Sequence, residues 1–160
     1  MFAYIYEDAV GVTKFDRYFS YLNEVCKEMP VSLRDFALDP SRYDLQTEGT
    51  LHDAWIESIN FENEFSEGSN LLAKRSVTIN LILSDRKNRL KISYGAVESY
   101  EHCHVPIMWP DRALDLLTHE IRVEGRGLYS HQLMFDRGVW LKLKFREFTI
   151  SSERCKPTSA

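Results

Sequence analysis

Two short connectors, Gly125-Arg126-Gly127 and Asp136-Arg137-Gly138, constrain the fold of this chain more than any other feature. Each ends on a glycine where a three-residue hairpin loop needs a left-handed residue. If residue 124 faces 128 and residue 135 faces 139, three strands are put in register. One face then collects Leu117, His119, Ile121, Val123, Tyr129, His131, Leu133, Phe135, Val139, Leu141, Leu143 and Phe145. The other collects Thr118, Glu120, Arg122, Ser130, Gln132, Met134, Trp140, Lys142, Lys144 and Arg146. A two-residue loop at 125–126 would set Thr118, Glu120 and Arg122 opposite apolar partners, and such a slip is costly when one face is buried. Past Arg146 the apolar positions move to Phe148 and Ile150, which implies a bulge or the end of the sheet.

The same period of two governs the middle of the chain. Leu51, Trp55, Ile59, Phe61 and Phe65 share one parity, with Asp53 and Glu57 on it too; Val77 to Leu83 and Leu90 to Tyr94 predict two further strands. The parity slips at Gly95 to give Val97, another bulge signal. Towards the N-terminus, Phe2 to Tyr6 reads as a short strand and Thr13, with Asp16 three residues on, as a helix N-cap. Phe15, Tyr18, Phe19, Leu22, Val25, Cys26 and Met29 then recur at helical spacing up to Pro30. Ser32 to Ala37 adds a further turn, and the stretch to Gly49 is an irregular linker. The expectation is one α+β domain over 1–160: an N-terminal strand, helix and linker (1–50), an antiparallel β core (51–151) and a tail (152–160). The core is a mostly antiparallel meander of about six strands, as a curled sheet, sandwich or partial barrel, with one N-terminal amphipathic helix.

Composition narrows the function classes. At 160 residues and 44% apolar, the chain can build a core without metal or disulfide staples. Cys26, Cys103 and Cys155 are an odd number without short spacing, so neither a disulfide framework nor a zinc knuckle is indicated, which fits a reducing cytoplasm. MFAYIYEDAV lacks a basic n-region and an apolar h-region, and no apolar run has the length of a membrane span. Residues 1–80 carry a net −7 and residues 81–160 a net +3. Six acids lie between Glu48 and Glu67 without a Lys or Arg, which disfavours that surface as a phosphate binder and suits a basic partner.

Leu51-His52-Asp53-Ala54-Trp55, leading into Ile56-Glu57-Ser58-Ile59, a hairpin and then Ile92-Ser93-Tyr94-Gly95-Ala96-Val97, resembles a widespread set of small bacterial domains that open with an LHD segment. The likeness covers roughly residues 51 to 150. Some members are similar to immunity proteins of polymorphic toxin systems. The resemblance implies a non-catalytic role, binding and blocking a toxin, and carries over no catalytic residue.

From the residues themselves, His119 and His131 face the core diagonally on adjacent strands. They are either a hydrogen-bonded core pair or, with His52 or Asp53 brought near, an open metal site or acid–base pair for a hydrolase or small-ligand binder. His102-Cys103-His104 reads as an exposed loop or a ligand pair, and His52-Asp53 as a strand entry rather than a phosphohydrolase dyad. Trp140, Lys142, Lys144 and Arg146 beside Arg122 could stack and neutralise a nucleic-acid strand, but the chain's pI near 5.7 argues for an ordinary solvent face. Trp109, Trp140 and Arg122, with the acidic Glu57, Glu62 and Glu64, are candidate contacts for a protein partner. No nucleophile elbow, phosphate loop or dinucleotide fingerprint is present, so the reading leans to a non-enzyme that needs no cofactor. The expected partner is another protein, a toxin in the immunity-like form, rather than nucleic acid or membrane.

Overall fold

The computed structural model describes residues 2–47, 49–103 and 113–155. The two glycine-ended connectors do set the register, although at the first of them Gly125, not Glu124, pairs with Leu128, and a bulge between Val123 and Gly125 takes up the difference. Thr118 to Val123 pair with Met134 to Tyr129, and Tyr129 to Met134 pair with Phe145 to Trp140, as the sequence predicts. Gly127 and Gly138 both have positive φ, and Arg137 joins them in the left-handed region.

The chain forms an α+β fold dominated by antiparallel strands: β1 (Tyr6–Glu7), β2 (Thr13–Lys14), α1 (Asp16–Val25), α2 (Val31–Leu38), β3 (Trp55–Phe65), β4 (Leu72–Ile82), β5 (Asn88–Gly95), β6 (Ser99–His102), β7 (Leu116–Gly125), β8 (Leu128–Phe135), β9 (Trp140–Phe145) and β10 (Glu147–Arg154). The strands do not follow one another as a single meander of six. They make a small β1–β2 ribbon and two four-stranded sheets, ordered β10-β5-β4-β3 and β6-β9-β8-β7. The expected slips at Gly95 and Arg146 are where the chain passes from one sheet to the other. β5 and β6 run alongside β10 and β9, so Gly95 pairs with Glu147 in one sheet and Ser99 with Lys144 in the other. Ala96 takes a positive φ at the corner, and Arg146 donates its amide to Gly95 O. Strands that switch sheets through such bends make the corners of two-layer β folds. A bridge between Trp55 and Asp115, flanked by Asp53 N–H to Leu116 O at 2.8 Å and Leu116 N–H to Ala54 O at 2.9 Å, ties the start of β3 to the entry of β7.

The core lies between the two sheets, where Val77, Ile79, Leu81, Leu90, Ile92 and Tyr94 meet Ile121, Leu133, Leu141, Leu143 and Phe145. Phe36 of α2 packs into it against Phe148, His119 and His131. β7 pairs with β8 on one side; on the other, beyond its bonds with Asp53 and Ala54, no strand of the described residues lies beside it, and α1 covers this edge. Tyr18 Oη accepts the Ile121 amide at 2.7 Å and Tyr21 Oη the Val123 amide at 2.8 Å, which satisfies an edge that would otherwise invite pairing.

Several local expectations change. α1 starts at Asp16 with Phe15, not Thr13, in the cap position, and no side chain caps it. A short 3-10 turn at Cys26–Glu28 follows, and Pro30 caps a second helix, α2. Residues 2–5 do not form a strand; β1 is limited to Tyr6 and Glu7. β3 begins at Trp55 because Asp53 sits at φ 61°, and a bulge after Ile56 turns Ile56 inward. A second bulge between Leu116 and Thr118 buries Leu116 and leaves Leu117 41% exposed. The outer face of β7–β8 is also drier than alternation predicts. Glu120, Ser130 and Gln132 are buried, and the N-terminal segment reaches across to Glu120. None of the described helices is long and apolar enough to cross a membrane.

Candidate functional site

The predicted histidine pair forms, and it is longer than a pair. His119 Nδ1 lies 3.0 Å from His131 Nε2, and His131 Nδ1 lies 2.8 Å from Tyr94 Oη. The register of β7, β8 and β5 brings the three rings together between the sheets. Burial is nearly complete, with His119 1% exposed and His131 and Tyr94 at zero. Loss of hydration disfavours every charged form here. It lowers His131 to about 3. It also takes His119 well below the ordinary histidine value, with the neighbouring His131 and Arg42 adding to the effect. Tyr94 is raised by the same burial, so all three groups are neutral at physiological pH.

The chain of rings ends at a cavity. His119 is stacked under Tyr43, centroids 4.5 Å apart and planes 16° from parallel, and its Nε2 has no hydrogen-bond partner among the described residues. A cavity of about 520 Å³ borders it, walled by Phe2, Ile5 and Phe15 from the N-terminal segment, by Tyr43, Leu45 and Leu51 from the linker, and by Leu117 and Met134 from the sheet. Thr118 is also in the wall, and its buried Oγ1 is a second polar atom without a partner. Arg42 reaches the same space. Its Nη1 donates to Gly49 O at 3.1 Å, while Nε, 3.2 Å from Asp39 Oδ2, has the ion-pair distance but not the alignment of a hydrogen bond. A mostly apolar wall with a few unsatisfied polar atoms is the make-up of a small-ligand pocket.

The other predicted residues sit apart from this relay. His52 borders the cavity, but its Nδ1 pairs with its neighbour Asp53 at 3.1 Å, and the Asp53 side chain is largely in solvent. Asp53 does not accept from Trp55: the indole donates to Asp115 Oδ1 at 2.6 Å, while Arg86 lies over the Trp55 ring and donates to Asp53 O. Glu57 is held by Arg89, which also meets Glu153, whereas Glu62 and Glu64 are exposed on the outer half of β3. Arg122 lies 3.6 Å from Glu120 and 3.3 Å from Glu124, and Trp140 is half-buried with its amide on Cys103 Sγ. Two of the cations of that stripe are matched by acids, Lys144 by Glu124 and Arg146 by Glu98. His102 is exposed on β6; His104 and Trp109 lie outside the described residues. Among the described residues no group of three or more His, Cys, Asp or Glu side chains is placed to hold a metal.

Tyr94, Tyr43, Thr118 and Arg42 join the site without having been singled out from sequence. Tyr94 had a signal, since it shares the apolar parity of β5 and a tyrosine there must find a partner for its hydroxyl. Tyr43 and Arg42 come from the irregular linker, where no periodicity assigns a face. Searches against protein-family models, curated proteins and solved structures found no match for this chain.

Proposed function

We propose that this protein is a non-catalytic binding domain whose cavity takes up a small, largely apolar molecule against His119. One observation carries the reading: a fully buried, neutral histidine at the cavity wall has a ring nitrogen that nothing among the described residues satisfies. Leaving such a group unpaired costs about 1–3 kcal/mol, which a ligand atom would recover. The cavity volume falls in the range that holds small ligands. Hydrolysis through His119 and His131 has less support, because the buried carboxylate nearest in sequence, Glu120, is on the other face of β7 and already accepts three amides. The test is a fragment screen read by protein-observed NMR. Hits are expected to shift Thr118, His119 and Tyr43 and to raise the melting temperature; hits that map only elsewhere would end the reading.

A second reading, binding of a partner protein, rests on the outer half of the β3–β4 hairpin. Phe65 is 59% and Leu71 69% exposed there, beside Phe61, Leu72 and the acids Glu62 and Glu64. Exposed apolar side chains on a sheet edge favour interaction with another chain. An immunity-like role is its sharpest form. It predicts that co-expression rescues growth from a toxin encoded in the adjacent reading frame and that Phe65→Glu abolishes the rescue; a frame that is harmless would remove the immunity role.

A further inference from the structure

The hydrogen-bond chain behind the cavity has a direction, and the direction follows from counting protons. Each link joins two atoms of which only one carries a hydrogen, and there are two consistent ways to arrange them. In one, Tyr94 donates to His131 Nδ1, His131 Nε2–H donates to His119 Nδ1, and His119 keeps its hydrogen on Nε2. In the other, every link reverses: His119 Nδ1–H donates to His131, His131 donates to Tyr94, and the Tyr94 hydroxyl hydrogen must go elsewhere. Tyr94 is fully buried and, among the described residues, its Oη is bonded only to His131, so the reversed arrangement strands an O–H in the apolar core. The first arrangement leaves one group over, the Nε2–H of His119, a residue that lines the cavity.

We infer that Tyr94, His131 and His119 form a one-way chain ending on a His119 Nε2–H donor, and that the cavity selects small molecules presenting a carbonyl or carboxylate oxygen to it. The inference rests on the cavity reading above and names its ligand class. The surrounding groups agree with it. Arg42, also on the cavity wall, brings a guanidinium whose Nε is not well hydrogen-bonded. Glu7, the one acid among the described residues of the wall, opposes an anion there, so a neutral carbonyl and a carboxylate must be compared directly. An amine in the same place would present donors to a donor and a positive charge to Arg42. The aromatic lining from Phe2, Phe15 and Tyr43 favours a flat apolar body behind the oxygen.

Two measurements on the intact chain test this. Long-range proton–nitrogen NMR on the free protein reads the tautomers directly: both histidines are expected to carry hydrogen on Nε2 and none on Nδ1, and a protonated Nδ1 on His119 would overturn the inference. Chemical-shift titrations then compare phenylacetate, methyl phenylacetate and phenethylamine, which share a tail and differ in the head group. The two acceptors are expected to bind at least about tenfold more tightly than the amine, the factor that one satisfied buried donor supplies. In His119→Leu, which removes the donor, this preference should shrink severalfold. An amine that binds as well as the acceptors sinks the ligand class but leaves the cavity reading intact. Failure of all three probes to shift Thr118, His119 and Tyr43 sinks both.

Discussion

On the outer side of β7, Glu120 is buried under the N-terminal segment and its carboxylate accepts the amides of Ala3, Tyr4 and Ile5 at 2.9 to 3.1 Å. On the inner side, one residue earlier, His119 is buried just as deeply, yet one of its nitrogens has no partner among the described residues. Both are ionisable side chains taken out of water on a single strand. The first is saturated by the protein's own backbone and so belongs to the architecture. The second is supplied from behind by His131 and Tyr94 and left open in front, the arrangement of a group kept for something else.

Removing the saturated side should do the most damage. Glu120→Ala strips three amides of their acceptor and is expected to cost about 3 kcal/mol in urea unfolding, with the first residues becoming protease-sensitive; Glu120→Gln, which keeps one acceptor oxygen, should cost less. Titrating the open side comes next. Both histidines have folded pKa values depressed below about 6.5, their unfolded value. The unfolded chain therefore binds protons that the folded chain does not. The stability from the neutral pair is complete above pH 6.5 and is lost as pH falls, for His131 down to about 3. At pH 5.5 the loss is about 1.4 kcal/mol per histidine, measurable as a lower urea midpoint at unchanged m-value. A triple variant, Tyr94→Phe with His131→Leu and His119→Leu, removes donors and acceptors together. It should stay within about 1 kcal/mol of the parent at pH 7 and lose that part of the acid sensitivity, so a larger loss at pH 7 would mean the relay is as structural as Glu120. Tyr21→Phe, which deprives only the Val123 amide, should cost about 1 kcal/mol. Glu62→Gln and Glu64→Gln touch neither side of β7, and their unfolding midpoints should move by less than the equivalent of about 0.5 kcal/mol.

The difference between the two sides also marks what could be read in advance. The inward placement of His119 and His131 was legible, because Gly127 and Gly138 set the turns and the turns set the register. Tight turns speak only for neighbouring strands. The pairing of β5 with β10 joins segments more than fifty residues apart, and no local residue pattern records such a contact. Gly95 and the parity change after Arg146 were visible as irregularities, but not as the points where the chain leaves one sheet for the other. Glu120 was placed on the wetter face because alternation cannot see the N-terminal segment that comes to lie over it. The relay's third member was missed for a similar reason: Tyr94 is in the opposite sheet, and only the two-layer packing brings it to His131.

The corner at Gly95 carries a consequence for how the molecule comes apart. A side chain there would bring its Cβ to 2.9 Å from that of Glu147, so the two segments can cross closely only with glycine at that position. Residues 88–102 and 140–154 each contribute to both layers, and neither layer owns its outer pair of strands. Peeling one layer must therefore drag on the other. Such a connection makes the β portion a single cooperative unit in unfolding rather than two separately melting halves.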